Sequence, residues 1–103
     1  PLGLALTDRD GRFQFMNAAF EATAGLGAGT AAPHPTDLVA DEDKPRVSDA
    51  VRRAASGSGK PRDLRVRLRV RPDEETILTV ARAEGLGDAA AILSLRDARE
   101  QMK

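Results

Sequence analysis

The chain has 103 residues, 41% of them hydrophobic, and contains no cysteine, tryptophan or tyrosine. That length fits one compact domain, and the missing thiols exclude disulfides, thiolate chemistry and cysteine metal sites. Sixteen basic residues balance sixteen acidic ones, so no general attraction to nucleic acid or to an anionic membrane is indicated, and no run approaches the ~18–20 apolar residues of a membrane span.

Pro1 opens the chain without a methionine or a signal peptide, and Lys103 ends it in mid-pattern; a fragment of a longer protein is expected. Leu2, Leu4 and Leu6 alternate with small residues, the period of a short half-buried strand. Asp10-Gly11 supplies the pair favoured in tight hairpins, and Phe13 and Phe15 alternate with Arg12 and Gln14 in a second strand. At Asn17 the period changes. Residues 18–24 are good helix formers, and Gly25 is placed to end that helix in a left-handed conformation.

A Gly/Ala/Thr/Pro loop is expected over residues 25–36, with one helical turn at 36–39. Asp41, Glu42 and Asp43 place negative charge where a helix macrodipole favours it, so a longer helix is predicted over 43–56. Pro45 is tolerable near its start, and Val47, Ala50, Val51 and Ala54 share one face. Ser56-Gly57-Ser58-Gly59 ends it. Leu64, Val66, Leu68 and Val70 then alternate with Arg65, Arg67, Arg69 and Arg71, which predicts one strand through residue 71. A turn at Pro72-Asp73, a strand over 76–84, a turn over 85–88 and a last strand over 89–96 follow. Asp97 and Glu100 have the spacing of a capping box, so a new helix is expected to begin there.

Asn17 sits where strand gives way to helix, and an N-cap accounts for it. Gly57-Ser58-Gly59-Lys60 is not a phosphate loop, because Ala54 and Pro61 stand where glycine and a hydroxyl residue are needed. Asp8-x-Asp10-Gly11 fails as a calcium loop, since Asn17 would replace the bidentate glutamate. His34, the only histidine, lies between two prolines and has no second nitrogen or thiolate partner in the sequence to build a metal site. No nucleophile, base and orienting group converge, which speaks against an independent enzyme. The arginine stripe is the strongest chemical feature. On one strand its guanidiniums would stand roughly 7 Å apart and could dock a partner's acidic surface, or form a solvated face paired with Asp73, Glu74, Glu75 or Glu84.

The whole layout resembles the PAS domain family over nearly all of the chain. Asp8-x-Asp10-Gly11-Arg12, Asn17-x-Ala19-Phe20 and Gly25-Leu26 are similar to its opening turn, second strand and first helix. Leu38-Val39 with Asp41 and Asp43 resembles the segment before its long helix. Leu95-Arg96-Asp97 with Glu100 resembles its exit motif, although Arg99 stands where threonine is usual. The resemblance implies an α+β fold: a five-stranded antiparallel sheet with short helices on one face, spanning residues 1–97, and an exit helix starting over 98–103.

It also implies a non-catalytic, cytoplasmic sensing and regulatory module, with Asn17, Asp97 and Glu100 as structural and signalling residues. The expected partner is an effector domain in the same chain, a sensor histidine kinase of a bacterial two-component system. A homodimer is expected for the longer protein, a monomer being compatible with the fragment, with no nucleic acid and no direct membrane contact. Without cysteine, and without histidine in the long helix, neither a flavin adduct nor haem is expected; a small metabolite is compatible with the family. The alternative is a ligand-free interaction or dimerisation domain that uses the face bearing Arg65, Arg67, Arg69 and Arg71.

Overall fold

In the computed structural model, residues 2–26, 33–57, 60–85 and 87–98 are described. Strand β1 (Gly3–Thr7) and strand β2 (Phe13–Met16) form a hairpin that leads into helix α1 (Ala18–Ala24). Two 3-10 turns, Pro35–Leu38 and Asp41–Asp43, lead into helix α2 (Lys44–Ala55), and strands β3 (Arg62–Leu68), β4 (Arg71–Arg82) and β5 (Ala91–Asp97) complete the sheet. The strand order is β2-β1-β5-β4-β3 with every pair antiparallel. The expected five-stranded α+β architecture is therefore present, with the last strand in the middle.

The β1–β2 turn closes around Asp8, whose Oδ1 accepts from the amides of Asp10 and Arg12 at 2.9 and 3.0 Å. In β1 the period of two is as expected, but Gly3, Ala5 and Thr7 are the buried residues, while Leu2 and Leu4 are 50% and 39% exposed on the outer face. Close packing decides this. A Cβ on Gly3 would come within 3.0 Å of the Phe20 Cα, so only glycine lets α1 lie directly on the strand. Phe20 is fully buried and meets the Phe13 ring edge-on at 5.7 Å between centroids, an arrangement aromatic quadrupoles favour. The core continues through Val47, Ala50, Val51 and Ala54 of α2 against Val66, Leu68, Leu78, Val80, Leu93 and Leu95 of the sheet.

The hairpin joining β3 and β4 corrects the sequence reading. The chain reverses at Arg69-Val70, with Leu68 opposite Arg71, and Pro72 and Asp73 lie within β4 rather than in a turn. Residues 38–40 hold the end of β3: the Ala40 amide donates to the Arg67 carbonyl at 2.8 Å, and the Arg69 amide to the Leu38 carbonyl at 2.9 Å. Pro72 is tolerated because the pairing of β4 with β5 begins only at Thr76, so its missing N–H leaves no ladder bond broken on that side.

Candidate functional site

Asn17 lies at the junction of β2 and α1, and its bonds explain that junction. Its amide donates to the Leu4 carbonyl at 2.9 Å, while its own carbonyl turns into the helix and accepts from the Glu21 amide at 3.1 Å. The side chain fills the place that carbonyl has left in the ladder. Oδ1 accepts from the Leu4 amide at 3.0 Å and from the Phe20 amide at 2.8 Å. Nδ2 donates to the Leu2 carbonyl at 2.9 Å. An asparagine carries a peptide-like acceptor and donor on a short stem, so it serves the strand and caps the helix at once. Both of its polar atoms are thereby committed to backbone groups.

Asp43 has a larger role than a helix-start charge. One carboxylate oxygen accepts from the Arg46 guanidinium at 2.6 Å and the other from the Arg67 amide at 2.8 Å, and Arg46 also donates to the Arg65 carbonyl at 2.7 Å. The first turn of α2 is thus bolted to β3. Burial by itself would push the Asp43 carboxyl up, but the Arg67 amide and the Arg46 guanidinium together outweigh it and hold the group below its usual range.

The four arginines do not share one strand. Arg65 and Arg67 are on β3, Arg69 is in the turn and Arg71 opens β4. Arg65 lies 3.9 Å from Glu75, Arg67 donates to the Pro72 carbonyl at 2.8 Å, and Arg69 lies 3.7 Å from Asp41. An evenly spaced row of guanidiniums is therefore not available on this face. Beside them Asp63, Thr79 and Arg96 join three strands, with Thr79 donating to Asp63 at 2.7 Å and Arg96 within 3.5 Å of the same carboxylate. The other half of the outer face is apolar, with Leu2, Leu4 and 53%-exposed Phe15.

Asp97 is the last residue of β5, opposite Thr76, and Ala98 after it is buried. Glu100 and the expected helix over 98–103 fall, apart from Ala98, outside the described residues. β5 is hydrogen-bonded on both sides, to β1 and to β4, so the strand that reaches the exit is the central one of the sheet.

At the opposite end of β5, three adjoining clefts of about 340, 570 and 520 Å³ open where the β1–β2 turn, the C-terminus of α2 and the end of β4 meet. Arg9 lines all three, Arg52 lines two and Arg82 lines two. The sequence reading passed over this grouping, because the three arginines belong to separate elements and share no motif. The one available signal was that each lies within a few residues of a glycine-marked turn. Among the described residues no cluster of three or more His, Asp or Glu could hold a metal ion, and no helix is long and apolar enough to cross a membrane.

A family model described as PAS fold matches residues 1–102. No curated protein matches the chain. Among solved structures, the sensor region of a sensor histidine kinase superposes with a TM-score of 0.69 at 17% identity, over 98% of this chain and 41% of that one. The chain thus spans about two fifths of that sensor region. The PAS domain of a protein from Colwellia psychrerythraea gives 0.69 at 18% identity, over 96% and 87% of the two chains. The N-terminal domain of a diguanylate cyclase with PAS/PAC sensor from Marinobacter aquaeolei gives 0.66 at 16% identity over the full length of both.

Proposed function

The chain belongs to the PAS fold family, and from that membership we propose that it is a non-catalytic, signal-sensing regulatory module that passes a conformational or dimerisation signal through its C-terminal segment to a linked effector domain. The effector is a histidine kinase, with a diguanylate cyclase as the other class named among similar structures. The module works in the cytoplasm, without haem or a flavin adduct, on a small-molecule signal.

One observation carries this reading. β5 takes hydrogen bonds from β1 and β4 along its length and ends at Asp97, directly before the outgoing segment. A displacement anywhere in the sheet is shared through those ladders and delivered to one point, as a two-state lever requires. The test is made in the longer protein with its effector attached. Inserting two glycines after Ala98 should uncouple effector output from deletion or mutation of this domain, while leaving the melting temperature of the isolated chain unchanged. An output indifferent both to removal of residues 1–97 and to the insertion would rule the module out as a regulator.

A second reading, an interaction domain that pairs with another copy of the chain, is favoured by the exposed Leu2, Leu4 and Phe15 beside the Asp63–Arg96 network on the outer face. Sedimentation of the chain and of a Leu4→Ser/Phe15→Ser variant tests it. A dimer that dissociates in the variant supports the reading, and a monomer at every concentration opposes it.

A further inference from the structure

We propose that the arginine-lined groove at the start of β5 is a binding site for a small molecule carrying two or more phosphate or carboxylate groups, with Arg9, Arg52 and Arg82 as its principal ligands. They come from the β1–β2 turn, the last turn of α2 and the end of β4, yet all three line a single cleft whose other walls are Ala55, Ser56 and Gly57. Among the described residues no carboxylate lines that cleft. Neither Arg9 nor Arg52 makes an ion pair or a side-chain hydrogen bond among the described residues. Arg82 has a single ion pair, a loose one of 3.5 Å with Glu84, and its guanidinium lies against Gly57, where a Cβ would sit 3.3 Å from Cζ. Three arginines lining one cleft, with the loose Glu84 contact of Arg82 as the single ion pair among them in the described residues, are suited to bidentate oxyanions.

The adjoining cleft adds a second observation. His34 lines it beside Arg9 and Arg52, and its buried Nδ1 has no hydrogen-bond partner among the described residues, a condition that costs stability unless something else satisfies the atom. The class of ligand follows from what surrounds the arginines. Asp8, Asp10 and Asp88 border the adjoining cleft and Asp10 also the His34 cleft, so the surface that favours an anion is confined to the Arg9–Arg52–Arg82 cleft, room for a small ion and not for the extended backbone of a nucleic acid. None of the three phenylalanines lines it, so no ring is present for a base to stack on. A small ion with several charged groups could engage forks from different elements together, where a monovalent ion reaches at most one or two.

Occupancy of the groove has a direct route to the exit. The Ala83 amide donates to the Ala90 carbonyl at 3.1 Å, and the Ala90 amide donates to the Thr7 carbonyl at 2.7 Å. These bonds join the end of β4 and the start of β5 to the strand that leads into the Arg9 turn. An anion drawing Arg82 and Arg9 toward Arg52 would therefore load the start of β5, and the six steps from Ala91 to Asp97 carry that load roughly 20 Å along the strand. The coupling rests on the sensor reading above; the binding site does not.

Calorimetric titration of the chain with sodium pyrophosphate and, separately, with citrate tests the site. Saturable one-to-one binding is expected for at least one of them, with pyrophosphate alone assigning a phosphate ligand and citrate alone a carboxylate one. Arg9→Gln and Arg52→Gln should each weaken it about tenfold, the worth of one charge-assisted contact. Arg12→Gln, which removes an exposed charge from the same turn but lines none of the clefts, should change it less than about twofold. All are exposed side chains, and thermal melts confirm that each variant is folded. No saturable binding of either ion, equal loss in all three variants, or equal affinity for acetate overturns the site. Hydrogen exchange of residues 91–97 then separates the two ideas: anion binding that leaves their protection unchanged keeps the site and overturns the coupling along β5.

Discussion

Replacing Asn17 with alanine removes three bonds whose separate contributions can be read from graded substitutions. The bond to the Phe20 amide is an N-cap, worth ~1 kcal/mol. The bonds to the Leu4 amide and the Leu2 carbonyl lie in exposed surroundings, so each is set near the lower end of the net range, ~0.5 kcal/mol. Alanine should then cost ~2 kcal/mol, which for a domain of this size lowers the melting temperature by roughly 8–16 °C. Serine keeps a cap acceptor but cannot reach β1, and should lose ~1 kcal/mol. Aspartate keeps both acceptor bonds, gains from the helix N-terminus, and sets a carboxylate against the Leu2 carbonyl; its loss should be smaller than that of serine. Urea unfolding of the four proteins at neutral pH measures the series. The expected order of stability is asparagine, aspartate, serine, alanine. If serine proves as damaging as alanine, the cap is not what the residue supplies. If alanine costs less than ~0.5 kcal/mol, the side chain does not hold the strand–helix junction at all.

Gly25 caps α1 at φ +75°, and a Cβ there would stand 2.6 Å from the Val70 Cγ1; Gly25→Ala should cost at least ~1–2 kcal/mol from the left-handed backbone alone. Adding Val70→Ala, which removes both clashing methyls, should recover part of the excess, whereas additive losses in a double-mutant cycle would show that the contact is absent. The Asp43 carboxyl titrates below its ordinary value of 3.8 in the folded chain, so its contribution is fully present above that value and is lost as pH falls through the lower folded one. Asp43→Asn should therefore destabilise by ~1–3 kcal/mol at neutral pH, with the gap to the parent chain closing in acid melts below about pH 4; a gap independent of pH would refute the charge argument. Thr7 is fully buried and its Oγ1 has no hydrogen-bond partner among the described residues, so Thr7→Val, of equal shape, should raise stability by ~1 kcal/mol in the same urea assay, and a loss would mean that the hydroxyl is satisfied in solution.

Much of the local structure was legible because its causes are local. The switch of period at Asn17, the glycine at position 25 and the apolar face of residues 47, 50, 51 and 54 act through near neighbours, and the helices lie close to where those signals put them. In β1 the alternation was plain but not its sense. A strand of period two has two equivalent faces until something covers one, and the backbone of Phe20 pressed against Gly3 made the small residues the inner ones. The strand expected through residue 71 failed for a similar reason. Its alternation ran on through Val70, and only residues 38–40, paired onto Arg67 and Arg69, set the end of β3 at Leu68. Asp43 looked like a dipole charge and became a clamp because β3, some 24 positions later, brings the Arg67 amide to it.

By itself, then, the sequence determined the five strands and two α-helices, the period of their apolar residues and the family to which they belong, since propensity, capping and periodicity operate over a few residues. Which faces are buried, where β3 turns, and the meeting of Arg9, Arg52 and Arg82 around one groove were decided only by the tertiary structure. Those features depend on groups dozens of positions apart, and no short-range rule relates such residues until the sheet has closed.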